Sequence, residues 1–91
     1  MKSLHLIISG RVQGVGFRDW LMGQAHARAV AGWVRNRGGD QVEAVICGAP
    51  VDVDAIVALC HEGPPAARVL SVAATPSDPV EGFSFRCIPS I

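Results

Sequence analysis

The residues best suited to chemistry fall in one nine-residue run: Gly10, Arg11, Val12, Gln13, Gly14, Val15, Gly16, Phe17 and Arg18. Three glycines within the first seven positions, with no strand or helix period, predict a tight loop. Such a loop can aim successive backbone N–H groups at one point. A helical apolar period begins at Phe17, so the loop feeds a helix whose first turn adds unpaired donors and the positive end of its dipole. Arg18 lies in that turn, and its planar guanidinium can clamp the oxygens of the same anion. The run therefore reads as an anion cradle. The competing reading is a sharp strand-to-helix turn with Arg18 as a surface charge. Gly14 and Gly16 begin a GxGxxG, but Asp19 stands in the third glycine's place and no GK[ST] follows, so neither a dinucleotide fingerprint nor a Walker A loop is present.

A second candidate is Asn36, at the end of the β-prone run Gly32, Trp33, Val34, Arg35, Asn36. An asparagine before a turn is commonly a turn former; its alternative role is to hold a water molecule. Both readings stand on position alone.

These residues need elements to position them. Leu4, Leu6 and Ile8 alternate through Ser3–Ser9, a strand buried on one face, followed by the loop Gly10–Gly16. From Phe17 to about Ala29 the residues Phe17, Trp20, Leu21, Ala25 and Ala27 predict one helical face. The runs Gly32–Asn36 and Gln41–Cys47 flank Arg37, Gly38, Gly39 and Asp40 and predict a hairpin. Pro50, Asp52 and Asp54 start a second helix with Val53, Ile56, Val57 and Cys60 on its inner face, ended by Gly63 and two prolines. Arg68–Thr75 and Phe83–Ile88 read as strands, separated by a loop that begins at Pro76–Pro79. The order predicts an α+β, ferredoxin-like βαββαβ two-layer sandwich: a mainly antiparallel sheet with two helices on one face. Residues 1–91 are expected to form a single domain.

Composition narrows the function. Apolar residues make up 49% of the chain, enough for a packed core and against disorder. Eight basic and eight acidic residues cancel, so no overall positive field exists to gather nucleic acid or an anionic membrane. An RNA-binding reading would also need exposed aromatics on the central strands, and Gln41–Cys47 has none. Cys47, Cys60 and Cys87 show no CxxC spacing, and His5, His26 and His61 share no metal-ligand pattern, so no metal is expected. With no signal-peptide or membrane-length apolar run, a cytoplasmic protein is expected.

The two segments together resemble the paired signatures of the acylphosphatase family. The match holds at every defining position from Gly10 to Arg18 and from Gly32 to Asn36, and extends to Gly63, Pro64, Pro65, Ala67, Arg68 and Val69. The resemblance implies a βαββαβ fold with a short additional strand, and hydrolysis of acyl phosphates to carboxylate and inorganic phosphate. By position, Arg18 and the loop around Gln13, Gly14, Val15, Gly16 and Phe17 would bind the phosphoryl group, and Asn36 would orient the attacking water. The expected partner is a small-molecule acyl phosphate, hydrolysed by a monomer without cofactor, with phosphate or sulfate as competing anion. Neither motif places a nucleophile or an evident acid; an acyl phosphate needs neither, because its carboxylate leaving group is already stable near neutral pH. Asp19, about 100° around the helix from Arg18, is expected to be solvated or to serve the helix dipole rather than act as a general base. The runner-up is a non-catalytic phosphate or carbamoyl phosphate binding module, such as occurs within larger maturation enzymes; a chain ending after one domain favours the free-standing enzyme. Asp40 and Ala29 stand where the family has glycine, which predicts a reshaped hairpin turn and leaves the end of the first helix open.

Overall fold

A computed structural model describes all 91 residues. The elements are β1 (Lys2–Arg11), α1 (Phe17–Ala27), β2 (Ala31–Arg37), β3 (Gln41–Gly48), α2 (Pro50–Cys60), β4 (Arg68–Pro76) and β5 (Phe85–Cys87). They form one five-stranded sheet in the order β4-β1-β3-β2-β5. The first four strands are the antiparallel ferredoxin-like arrangement, and β5 adds a short parallel edge beside β2. Both helices cover one face, and no helix is long and apolar enough to cross a membrane.

The core follows from the two periodicities. Leu6 and Ile8 of β1, Val34 of β2, and Val42, Ala44 and Ile46 of β3 are fully buried on the helix side, as alternation along a strand requires. Against them α1 lays Phe17, Leu21 and Ala25, and α2 lays Val53, Ile56 and Cys60. The α1 stripe is narrower than the sequence suggests. Ala27 lies about 200° past Ala25 on a helix and is exposed.

Pro50 occupies the first turn of α2, where its missing N–H costs nothing. Burial lifts the Cys60 thiol to about 12, leaving it a neutral core group.

Three boundaries differ from expectation. The last strand is only Phe85–Cys87, because it pairs with β2 through Gly32, Trp33 and Val34 alone; Phe85 turns inward while Phe83 is 96% exposed. The hairpin turn is not reshaped through Asp40: Gly38 takes the positive φ, at 61°, and Asp40 stays out of the left-handed region. Helix α1 ends at Ala27, and Ala29 itself adopts φ 54°.

Candidate active site

Strands β1 and β2 each pair antiparallel with β3 and so run the same way, and β5 runs parallel to β2. Their C-terminal ends therefore meet at one end of the sheet. The glycine loop leaves β1 there, and Asn36 and Cys87 arrive there at the ends of β2 and β5. Asn36 is two residues beyond the buried Val34, so its side chain points to the helix side, toward the loop and the start of α1.

The loop is built for unpaired donors. Gly14 and Gly16 sit at φ 71° and 79°, where a Cβ would be strained although it would meet no neighbouring atom. Gly16 is the N-cap and contributes no side-chain bond. The first helical bond runs from the Trp20 amide to the Gly16 carbonyl, and none of the N–H groups from Gly14 to Asp19 donates to another backbone carbonyl. Positive φ at Gly14 and Gly16, on either side of a Val15 that is not left-handed, suits a concave nest of amides, an arrangement that binds anions. Phe17, 2% exposed and packed edge-to-face on Trp20 at 5.2 Å, fixes the nest to the core.

Arg18 and Asn36 complete the site with opposite polarity. Arg18 makes no ion pair with any carboxylate; its Nη1 lies 3.9 Å from the Cys87 sulfur. Asn36 has a buried Oδ1 that accepts no hydrogen bond. A buried acceptor without a partner costs about 1–3 kcal/mol, so its retention beside a cluster of donors points to use with a ligand.

Gly14, Gly16, Phe17, Arg18 and Asn36 all line one polar cleft of about 90 Å³, with Val12 and Asp19 completing it. That volume is about three water molecules, the scale of a phosphoryl group. Of the residues named from sequence, Gln13 and Val15 do not line it. The Gln13 side chain bonds to the hairpin, and Val15 packs toward the core. Asp19 also lines the cleft and is exposed in the first turn of α1, as a solvated or helix-dipole role requires.

Elsewhere, no three His, Cys, Asp or Glu side chains converge to hold a metal ion. A wider groove of about 440 Å³ at the opposite end of the sheet, lined by residues such as Met1, Ala31, Cys47 and Phe83, has no charged side chain.

Comparison with known proteins gives the family. The family model described as Acylphosphatase matches residues 4–86. The acylphosphatase of Acidiphilium cryptum is 47% identical over 79 residues, covering 87% of each chain. The crystal structure of the Bacillus subtilis acylphosphatase superposes with a TM-score of 0.89 at 35% identity, covering 97% of this chain and 99% of that one. Full-length HypF, in its phosphate- and nucleotide-bound form, matches with a TM-score of 0.84 at 26% identity, over 98% of this chain but 12% of HypF. The family model, the relatives and the shared fold show that the chain belongs to the acylphosphatase family, hydrolases that act on acyl phosphates.

Proposed function

We propose that this chain hydrolyses acyl phosphates with Arg18 and the amides of the Gly14–Asp19 turn holding the phosphoryl group and Asn36 orienting the attacking water. The observation that carries the reading is the split in polarity across the cleft. N–H groups with no backbone acceptor and a guanidinium with no carboxylate partner line one part beside the exposed Asp19, and the buried Asn36 Oδ1, which accepts no hydrogen bond, belongs to a residue of the same cleft. Donors suit phosphoryl oxygens. An acceptor repels those oxygens but takes a hydrogen bond from water, which it can hold in line for attack.

The water oxygen forms the new bond to phosphorus while the bond to the acyl oxygen breaks. The electron pair leaves with the carboxylate, and the water's protons pass to phosphate and solvent. Charge on the equatorial oxygens is met by Arg18 and the amides, which are already oriented and need no rearrangement. The leaving carboxylate requires no acid, so the mechanism is selective for anhydrides over alkyl esters.

The test is hydrolysis of benzoyl phosphate in the presence of a chelator, beside a simple alkyl phosphate. Turnover of the first alone, with inorganic phosphate competing, is expected. Activity lost on chelation and restored by a divalent ion would overturn the mechanism. Likeness to a small part of phosphate-bound HypF supports one other reading, a phosphate-binding module; that protein would melt higher in phosphate yet leave benzoyl phosphate intact.

A further inference from the structure

The side chain of Gln13 leaves the cleft and reaches across to the β2–β3 hairpin. Its Nε2 lies 2.8 Å from the Gly38 carbonyl, 2.9 Å from that of Gln41 and 3.5 Å from that of Arg37. Three acceptors around one atom identify it as the nitrogen, since the amide oxygen could not sit there. Its two hydrogens suffice for the two short bonds.

The position of this clamp matters. Asn36 is followed directly by Arg37 and Gly38, and Arg37 pairs with Gln41 across the turn. The clamp thus grips the chain just beyond Asn36. The pairing of β1 with β3 ends at Ser9 and Gln41, and the Gly10 amide adds one bond to the Asp40 carbonyl. Past that point the loop has left β3, and Gln13 ties it back. The cradle and Asn36 belong to different elements; the end of β1 is tied to the hairpin by the Gly10–Asp40 and Gln41–Ser9 bonds, the Asn36–Gly38 stretch is also bonded to Ile91, and within the loop itself the tie to the hairpin is this carboxamide.

We infer that Gln13 is a positioning residue whose carboxamide sets the separation between the phosphate cradle and Asn36. The inference rests on the reading of Asn36 as the group that orients water. Arg18 and the amides of the following turn lie on the loop and α1 themselves, so loss of the clamp leaves anion binding in place while Asn36 moves relative to the bound phosphoryl group.

The experiment is a kinetic comparison of Gln13→Met, Gln13→Asn and Gln13→Lys with benzoyl phosphate, with inorganic phosphate as inhibitor. Met keeps the length without a donor, Asn keeps the amide but falls one methylene short, and Lys restores donors for several carbonyls. Gln13 is partly exposed, so folding is expected to survive, and melting checks it. Met and Asn should lower kcat between about 10- and 100-fold, the scale of a small displacement of a reacting group. The inhibition constant of phosphate should stay within about twofold, and Lys should recover much of kcat. In a double-mutant cycle, Gln13→Met should add nothing to Asn36→Ala, because both act on the same interaction.

Unchanged kcat in both Met and Asn variants would overturn the inference. So would a rise in the phosphate inhibition constant matching the loss in kcat/KM, which makes Gln13 a binding group. Additive losses in the cycle would overturn the coupling to Asn36 alone. Normal turnover in Asn36→Ala would instead overturn the water-orienting reading itself.

Discussion

Two polar clusters that include arginine lie in this small fold, and they are wired in opposite ways. On the open face of the sheet, Glu43 is 6% exposed and fully engaged. His5 Nε2 and Arg35 Nε each lie 2.7 Å from one of its oxygens, and Arg37 Nη1 is at 3.7 Å. Arg35 also stacks over Trp33 at 5.0 Å. Burial opposes ionisation of Glu43, but the hydrogen bonds and charges of His5 and Arg35 prevail and hold its carboxyl below the ordinary value. At the cleft, Arg18 has no carboxylate, six successive amides have no backbone acceptor, and Asn36 Oδ1 has no donor. Polar groups that hold the fold are paired within it. Those left unpaired in the cleft are the groups that the proposed function assigns to a phosphoryl group and a water.

Breaking the unpaired cluster should therefore damage activity and spare stability. Arg18→Lys is expected to lower kcat/KM by roughly 1,000-fold, raising KM and lowering kcat, because an ammonium cannot reproduce the planar fork. A lysine variant near wild-type activity would reduce Arg18 to a source of charge. Asn36→Ala should lower kcat by about 100-fold and leave phosphate inhibition intact. A well-folded variant with normal turnover would return Asn36 to the role of a turn former.

Breaking the paired cluster should do the reverse. Glu43→Gln removes a nearly buried charge from two hydrogen bonds; with His5 and Arg35 themselves 31% and 25% exposed, the cost falls below that of a dry ion pair, at about 2 kcal/mol. Because the folded-state pKa of Glu43 lies below its ordinary value of 4.5, the stabilisation is complete above that pH and is lost as pH falls through the lower, folded value. Denaturant melts of wild type and variant should differ most near neutral pH and converge on acidification well below 4.5. A gap that persists into acid would show that the contribution of Glu43 does not depend on its charge.

The cleft was far more legible in the sequence than the Glu43 network. Glycine spacing encodes a backbone shape locally, so Gly14 and Gly16 pointed to a tight loop able to gather amides, whereas position alone left Asn36 between turn former and water holder and only the family resemblance tied it to the site. His5, Arg35 and Glu43 lie on three strands and meet only through the register His5 to Val45 and Arg35 to Glu43, which no local pattern states. Gln13 was read within the loop motif for the same reason. Its side chain finds carbonyls 24 to 28 residues away, and loop composition reports only on the backbone.

Ala29 offers the smallest and sharpest test, since it lies at the end of the fold remote from the cleft. The Val30 amide bonds to the Ala25 carbonyl at 2.9 Å and the Ala29 amide to the His26 carbonyl at 3.3 Å, the paired bonds of a Schellman motif with Ala29 at C′. That position calls for a left-handed residue, and Ala29, at φ 54°, is the only non-glycine with positive φ in the chain. The steric cost of an L-residue there is about 1–2 kcal/mol. Glycine would remove it but would also gain freedom in the unfolded chain, worth about 0.4–1 kcal/mol. The net expectation for Ala29→Gly is a gain of roughly 0.5–1 kcal/mol, read as a higher denaturation midpoint with an unchanged slope. Ala29→Val should shift the midpoint the other way, since a β-branched residue is still less tolerant of that conformation. Neither change should alter kcat, because the Schellman turn lies across the sheet from Arg18 and Asn36. An Ala29→Gly variant no more stable than wild type would mean that the turn accommodates alanine without strain, and that the end of α1 is fixed by the burial of Val30 against Ala25 rather than by backbone preference.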